Sequence, residues 1–178
     1  KRFFIEVTDR KQFDFTPGQF VMLDLPIESK RTTRSYSIAS NPNGSNIFEL
    51  VIVLKEDGAG TPFLFEEAEI GKELKVSKPL GKFVLPDVLP EDQEICFICT
   101  GTGVAPFRSM ILDMVEKGGI RHNINLVFGC RYQDNILYRD EFEKLDAQCE
   151  NFHYHPVLSR EDEDSWNGCC GYVHKVYQ

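Results

Sequence analysis

No run of apolar residues in this 178-residue chain approaches the roughly 18 that a membrane-crossing helix requires. Nothing near Lys1 resembles a secretory leader, so the cytoplasm is the expected setting. Basic residues are in deficit, because 20 Lys and Arg against 28 Asp and Glu leave a formal charge of -8. Nonspecific nucleic-acid binding needs the opposite balance. Signatures of hydrolytic and metal chemistry are also missing. There is no Gly-x-Ser-x-Gly nucleophile elbow and no Gly-Lys-Ser/Thr to complete a P-loop. Cys96 and Cys99 form a C-x-x-C, but no second pair follows at zinc spacing, and they sit in the apolar run "EICFICTG" of a buried strand. Cys96, Cys99, Cys130, Cys149, Cys169 and Cys170 are therefore read as structural thiols in a reducing compartment. His153 and His155 share one face of a strand-like run, yet no carboxylate or third His stands at ligand spacing, so no metal is expected. The C-x4-C-x2-C spacing of an iron–sulfur domain is absent as well.

What the chain does have is core-forming material: 42% apolar residues, 12% aromatics and 14 Phe, which argues against disorder. Its character changes near residue 90. Before that point, strands are expected at 3–7, 19–25, 34–40, 47–55 and 72–85, separated by Pro17-Gly18, Asn41-Pro42-Asn43-Gly44 and Asp57-Gly58. Short strands at this spacing predict an antiparallel barrel over 1–88, with one helical turn at "TPFLFEE" where Pro62 suits the first turn. After a polar connector, strands at 95–99, 124–130 and 152–159 alternate with helices at 105–117 and 137–145. That alternation predicts a parallel-sheet α/β domain over 93–178. In the first of these helices Phe107, Met110, Ile111, Met114 and Val115 share one face at helical spacing.

"CTGTGVAPF" joins a buried strand to a helix. Gly101 and Gly103 let backbone N–H groups approach a ligand, and the helix N-terminus behind them favours an anion. A dinucleotide pyrophosphate at the carboxyl end of a parallel sheet has this requirement, although Pro106 replaces the surroundings of the usual third glycine. A plain tight turn is the alternative reading of so short a motif.

The two halves together resemble the ferredoxin–NADP reductase superfamily. "RSYS" at Arg34–Ser37 is followed by Gly-Thr-Gly-x-Ala-Pro, with "PGQF", "GTPFLF" and "PLGKFVLP" in order along the first half. "FGCRYQDNILYRDEF" and "SWNGCCGYV" are similar to the family's nucleotide half. The resemblance implies an FAD barrel and an NAD(P) domain, acting as a flavin oxidoreductase. In it Arg34 pairs with the FAD pyrophosphate, Tyr36 stacks on the isoalloxazine and Ser37 hydrogen-bonds N5, while Ser35 completes the motif. Val53 and Lys55 lie along the ribityl and phosphate arm, and Gly60 and Thr61 give further phosphate contacts. Thr100, Gly101, Thr102, Gly103 and Pro106 form the nucleotide loop. Arg131, Ser159 and Arg160 favour the 2′-phosphate of NADPH, with NADH the alternative, and the acidic residues 161–164 oppose a phosphate unless their loop turns outward.

The resemblance also implies a separate ferredoxin or similar one-electron acceptor. At -8 the protein repels an acidic carrier, so steering needs a local patch, for which Lys1, Arg2, Lys30 and Arg31 are the candidates. The alternative is an FAD-binding electron-transfer subunit serving a partner oxygenase or dehydrogenase, including the dihydroorotate-dehydrogenase type with its C-terminal cysteine cluster. Members of the family continue into a last strand, a Cys-Gly motif and a final helix, so this sequence is expected to be a fragment, or the ordered part of a longer chain.

Overall fold

The computed structural model describes residues 1–27, 30–90, 93–162 and 164–176, with the side chains of Lys30 and Arg31 outside that description. Contacts divide the chain into two units, one of Lys1–Leu85 with Ala105–Asp113 and the other of Pro86–Val104 with Met114–Gln178.

The first unit contains β1 (Arg2–Glu6), β2 (Phe20–Ile27), β3 (Lys30–Ser37), β4 (Ile47–Val51), α1 (Gly60–Glu66) and β5 (Lys75–Val76). All its pairings are antiparallel, in a β1-β4 sheet and a β3-β2-β5 sheet, and the Ile38–Leu50 bridge connects them. Strand alternation builds the core. Val21, Leu23 and Leu25 of β2 are buried every second residue and meet Phe48 and Leu50 of β4, with Phe63 and Leu64 of α1. Each such side chain contributes about 1.5–3 kcal/mol relative to exposure. Phe13 stacks on Phe48 at 4.9 Å.

Two strands are shorter than expected. The 47–55 run leaves its sheet after Val51, which pairs with Arg2 at the start of β1. Its continuation is held otherwise, by the Ile52 N–H on the Lys1 carbonyl at 3.0 Å and the Lys55 N–H on Thr61 Oγ1 at 2.9 Å. Of the 72–85 run, only Lys75–Val76 and a bridge from Leu80 to Phe20 pair. Pro79 has no N–H for a ladder, and Gly81 turns the chain at φ 107°.

The second unit is a parallel sheet in the order β6-β7-β8-β9: β6 (Ile95–Thr100), β7 (Ile124–Cys130), β8 (Phe152–Leu158) and β9 (Cys169–Cys170). Its connections carry α2 (Val104–Glu116) and α3 (Arg139–Gln148). β9 was not expected; two residues are too few for a periodicity, and its pairing with Val157 and Leu158 is decided by the sheet. On α2, Met110 and Ile111 are buried as expected, but Val115 is 41% exposed. Arg108 and Ser109 are buried instead.

Gly18 adopts φ 98°, and a Cβ there would collide with the Phe83 carbonyl. Gly18→Ala is expected to lower stability by at least about 2 kcal/mol, combining backbone strain with that collision. Gly44 also has positive φ (73°) but faces open space, so Gly44→Ala is expected to cost only about 1 kcal/mol. Urea unfolding of the two variants checks this; equal losses would contradict it.

Candidate functional site

The first cluster forms where β3 meets the start of α1. In the β2–β3 register, Arg34 stands opposite Leu23 and Tyr36 opposite Val21, so both lie on the core-facing side of the strand. A Cβ built on Gly60 would meet Leu25 Cδ1 at 3.2 Å, Arg34 Cγ at 3.3 Å and the Tyr36 hydroxyl at 3.7 Å. Glycine is thus the residue that lets α1 begin this close to both side chains. The Arg34 guanidinium is exposed, and its Nη1 donates to the Thr33 carbonyl at 3.0 Å. Burial pushes the Tyr36 phenol up, and neighbouring Arg34 pulls it down.

The remaining candidates in this unit are placed differently. Ser35 and Ser37 alternate to the other side of β3, Ser35 exposed and Ser37 half-buried. The Thr61 hydroxyl accepts from the Lys55 N–H at 2.9 Å and donates to the Lys55 carbonyl at 3.0 Å. That side chain is committed to the backbone and carries the exposed Val53–Lys55 segment to α1. Lys55 Nζ reaches Asp57 at 3.9 Å, both side chains in solvent, where such a pair contributes little. Arg2 is engaged by Glu49 through two hydrogen bonds and Lys1 Nζ donates to the Phe65 carbonyl at 2.9 Å; among the four residues named above as a steering patch, the side chains of Lys30 and Arg31 lie outside the described residues.

The second cluster lies at the carboxyl ends of β6, β7 and β8. Thr100 ends β6, and Gly101–Gly103 form a 3-10 turn. Gly101 has φ 52°, and nothing stands within 4 Å of a Cβ built on it, leaving its backbone open to approach. Thr102 is exposed, while Pro106 is buried in the first turn of α2, where its missing N–H breaks no helical bond. Beyond the strands the pairing continues by one step on each side: the Ser159 N–H donates to the Cys130 carbonyl and the Arg160 N–H to the Arg131 carbonyl, both at 3.0 Å. Arg131 and Arg160 therefore stand side by side, and both are exposed. One member of the acidic run is held in place by neutral donors, which leave its charge intact. Glu161 accepts the Gln133 N–H at 2.9 Å and the Ser165 hydroxyl at 3.2 Å. Glu163 lies outside the described residues.

Cys96 is exposed and Cys99 buried, on opposite faces of β6, so the C-x-x-C is not a joint site. The Cys130 thiol instead donates to the Asn135 carbonyl at 3.4 Å. His155 Nε2 bonds Asn125 Oδ1 at 2.9 Å, an ordinary strand contact. Among the described residues no three His, Cys, Asp or Glu side chains gather to hold a metal. Sequence reading missed a buried group, Glu49 with Arg108, Ser109 and Ser40. The only available signal was a lone carboxylate inside an otherwise apolar strand.

Comparison with known proteins gives concordant matches. Residues 1–85 match the oxidoreductase FAD-binding domain and residues 97–178 the oxidoreductase NAD-binding domain. Ferredoxin–NADP reductase B of Sorangium cellulosum is 39% identical over 168 residues, covering 94% of this chain and 67% of that protein. The anthranilate 1,2-dioxygenase electron transfer component of Acinetobacter baylyi is 32% identical, with 93% of this chain and 46% of that one covered. The chain thus spans about two thirds of one relative and under half of the other. The crystal structure of a ferredoxin NADP+ reductase from Neisseria gonorrhoeae with bound FAD and NADP superposes with a TM-score of 0.80 at 25% identity, over 96% of this chain and 66% of that one.

Burial holds the Cys99 thiol up to about 12, with Cys130 adding to it, and the Cys130 thiol up to about 11. An unfolded thiol ionises near pH 9, so from there upward the unfolded state loses protons that the folded state keeps. The stabilisation is whole below pH 9 and is lost progressively toward pH 11–12. Thermal unfolding is expected to fall across that window, with Cys99 protected from iodoacetamide at pH 8 while exposed Cys169 reacts. A flat profile with rapid Cys99 labelling would show that the thiol is not buried.

Proposed function

This chain belongs to the ferredoxin–NADP reductase superfamily, and we propose that it takes reducing equivalents from NAD(P)H onto FAD and delivers them singly to a ferredoxin or another one-electron acceptor in the cytoplasm. The observation that carries the reading is the approach of Arg34 and Tyr36 to Gly60 within the FAD-binding domain. That geometry passes a simple test of fit: a phosphate-binding cation, an aromatic plane and a side-chain-free helix start lie together. FAD bound there supplies the conversion of a two-electron donor into one-electron steps.

The protein's own residues bind and orient. Arg34 offers its planar guanidinium to the pyrophosphate. Tyr36 gives the flat surface for the flavin, and the half-buried Ser37 hydroxyl the donor for its N5, while Ser35 contributes through its place in the β3 backbone between Arg34 and Tyr36. Gly60 and the backbone of Thr61 approach the phosphates, while Val53 and Lys55 flank that arm. In the NAD-binding domain, Thr100–Gly103 bring backbone N–H groups to a pyrophosphate, and Pro106 fixes the helix start behind them. Arg131 and Arg160, with Ser159, favour NADPH through charge-assisted bonds that NADH cannot make. The backbone pairing that brings these arginines alongside each other supports that preference. No helix of the described residues is long and apolar enough to cross a membrane.

A second reading has its own support. The Acinetobacter baylyi relative is the electron transfer component of a dioxygenase, so this chain would serve a partner oxygenase rather than act alone. Reduction of the flavin by NAD(P)H without a partner supports the independent enzyme; reduction only with the partner supports the subunit.

Purified protein is expected to carry noncovalent FAD. Arg34→Ala is expected to weaken its binding on the order of 1.5–3 kcal/mol, or roughly ten- to a hundredfold, in a fluorescence titration. Titration like the parent would place the phosphate elsewhere. Stopped-flow reduction is expected to be faster with NADPH than NADH, and Arg160→Ala to narrow the difference; a parent that prefers NADH rejects the assignment.

A further inference from the structure

Two polar residues of α2 are buried beside its apolar stripe. Arg108 is 5% exposed and Ser109 fully buried. Arg108 Nη1 donates to the Ala39 carbonyl at 2.7 Å and to Glu49 Oε2 at 3.3 Å. Ser109 Oγ donates to the Ser40 carbonyl at 2.6 Å. From β4, Glu49 adds two backbone bonds to the same place: its N–H donates to Ser40 Oγ at 3.0 Å, and its carbonyl accepts the Ala39 N–H at 2.8 Å. Arg2 holds the same carboxylate, its Nη2 donating to Oε2 at 2.8 Å and its Nε to Oε1. All these residues belong to the first unit.

A carboxylate that is only 3% exposed must be paired, because an unpaired buried charge is far more costly than a buried apolar group. Stability alone gives little reason for the arrangement. Apolar side chains of similar size would seal the same face without desolvating two charges, and buried ion pairs are weak evidence of net stabilisation. Their bonds converge, however, on Ala39 and Ser40, the residues immediately beyond Ile38 and the Tyr36–Ser37 end of β3. Ile38 itself is held by its N–H on the Gln19 carbonyl at 3.0 Å.

We propose that Arg108 and Glu49 are positioning residues for the flavin site, fixing Ala39–Ser40 and thereby the direction in which Tyr36 and Ser37 leave β3. The proposal rests on the reading of Arg34–Ser37 as the FAD cradle. Neither residue touches the cofactor in this account. They act through the backbone that follows the cradle, and Ser109 assists through Ser40.

The test compares the parent with Arg108→Met, which keeps the length and loses the donors, and Arg108→Lys, which keeps a charge opposite Glu49. Each is titrated with FAD, and the visible circular dichroism of the bound flavin is recorded beside far-ultraviolet dichroism and thermal unfolding. Arg108→Met is expected to bind FAD on the order of tenfold more weakly and to change the shape of the flavin dichroism, with partial recovery of both in Arg108→Lys. An Arg108→Met protein that unfolds at lower temperature but keeps parental FAD affinity and flavin dichroism overturns the proposal, since the pair then only supports the fold. If Arg108→Met does not fold, Ser109→Ala carries the test by deleting one oxygen beside the pair. A changed flavin dichroism in that variant supports the proposal, and an unchanged one overturns it. A parent that binds no FAD refutes the cradle reading itself, and the inference with it.

Discussion

A carboxylate buried within an antiparallel sheet organises the first unit. Glu49 alternates outward from Phe48 and Leu50, which line the core, yet its side chain is only 4% exposed. That position is tolerable only when cations reach it. One comes from β1, where Arg2 lies two residues from Phe4, the partner of Glu49. The other is Arg108, 59 residues away in sequence. Ala105–Asp113 of α2, which contains it, belongs with Lys1–Leu85, although chain order alone would assign the whole helix to the α/β unit. Two bonds to Ala39 and Ser40 follow from the same burial.

In the second unit the governing constraint is backbone polarity at the carboxyl ends of parallel strands, where the ladder stops and N–H and C=O groups must find other partners. Here they find one another and a thiol. Ser159 and Arg160 extend β8 against Cys130 and Arg131, while the Cys130 thiol donates to the Asn135 carbonyl. The arginine side chains then project from a paired backbone rather than from a free loop. The Glu161 carboxylate is held by Gln133 and Ser165, neutral donors that leave its charge in place.

Substantial parts of the architecture were legible in the residue pattern. β7 runs over Ile124–Cys130 as its apolar run suggests, and the change near residue 90 from alternating strands to strand–helix repeats matches the antiparallel and parallel pairings. Period-2 and period-3.6 burial are local properties, written into consecutive residues. Strand ends were less legible. Lys75–Val76 pairs where a strand over 72–85 was expected, because pairing stops when a partner runs out, and a partner belongs to another segment.

The sequence by itself determined the two kinds of sheet, the glycine turn after β6 and the presence of a cation at Arg34, a ring at Tyr36 and a side-chain-free position at Gly60. Only the tertiary structure decided which of them meet. It set Arg34 and Tyr36 against Gly60, sent Ser35 to the other side of β3, committed the Thr61 hydroxyl to Lys55 and buried Arg108 against Glu49. The reason is physical: propensity and periodicity depend on neighbours in the chain, whereas burial and hydrogen-bond partnership depend on what long-range packing brings alongside, and a charged residue is read as exposed until its distant partner is known.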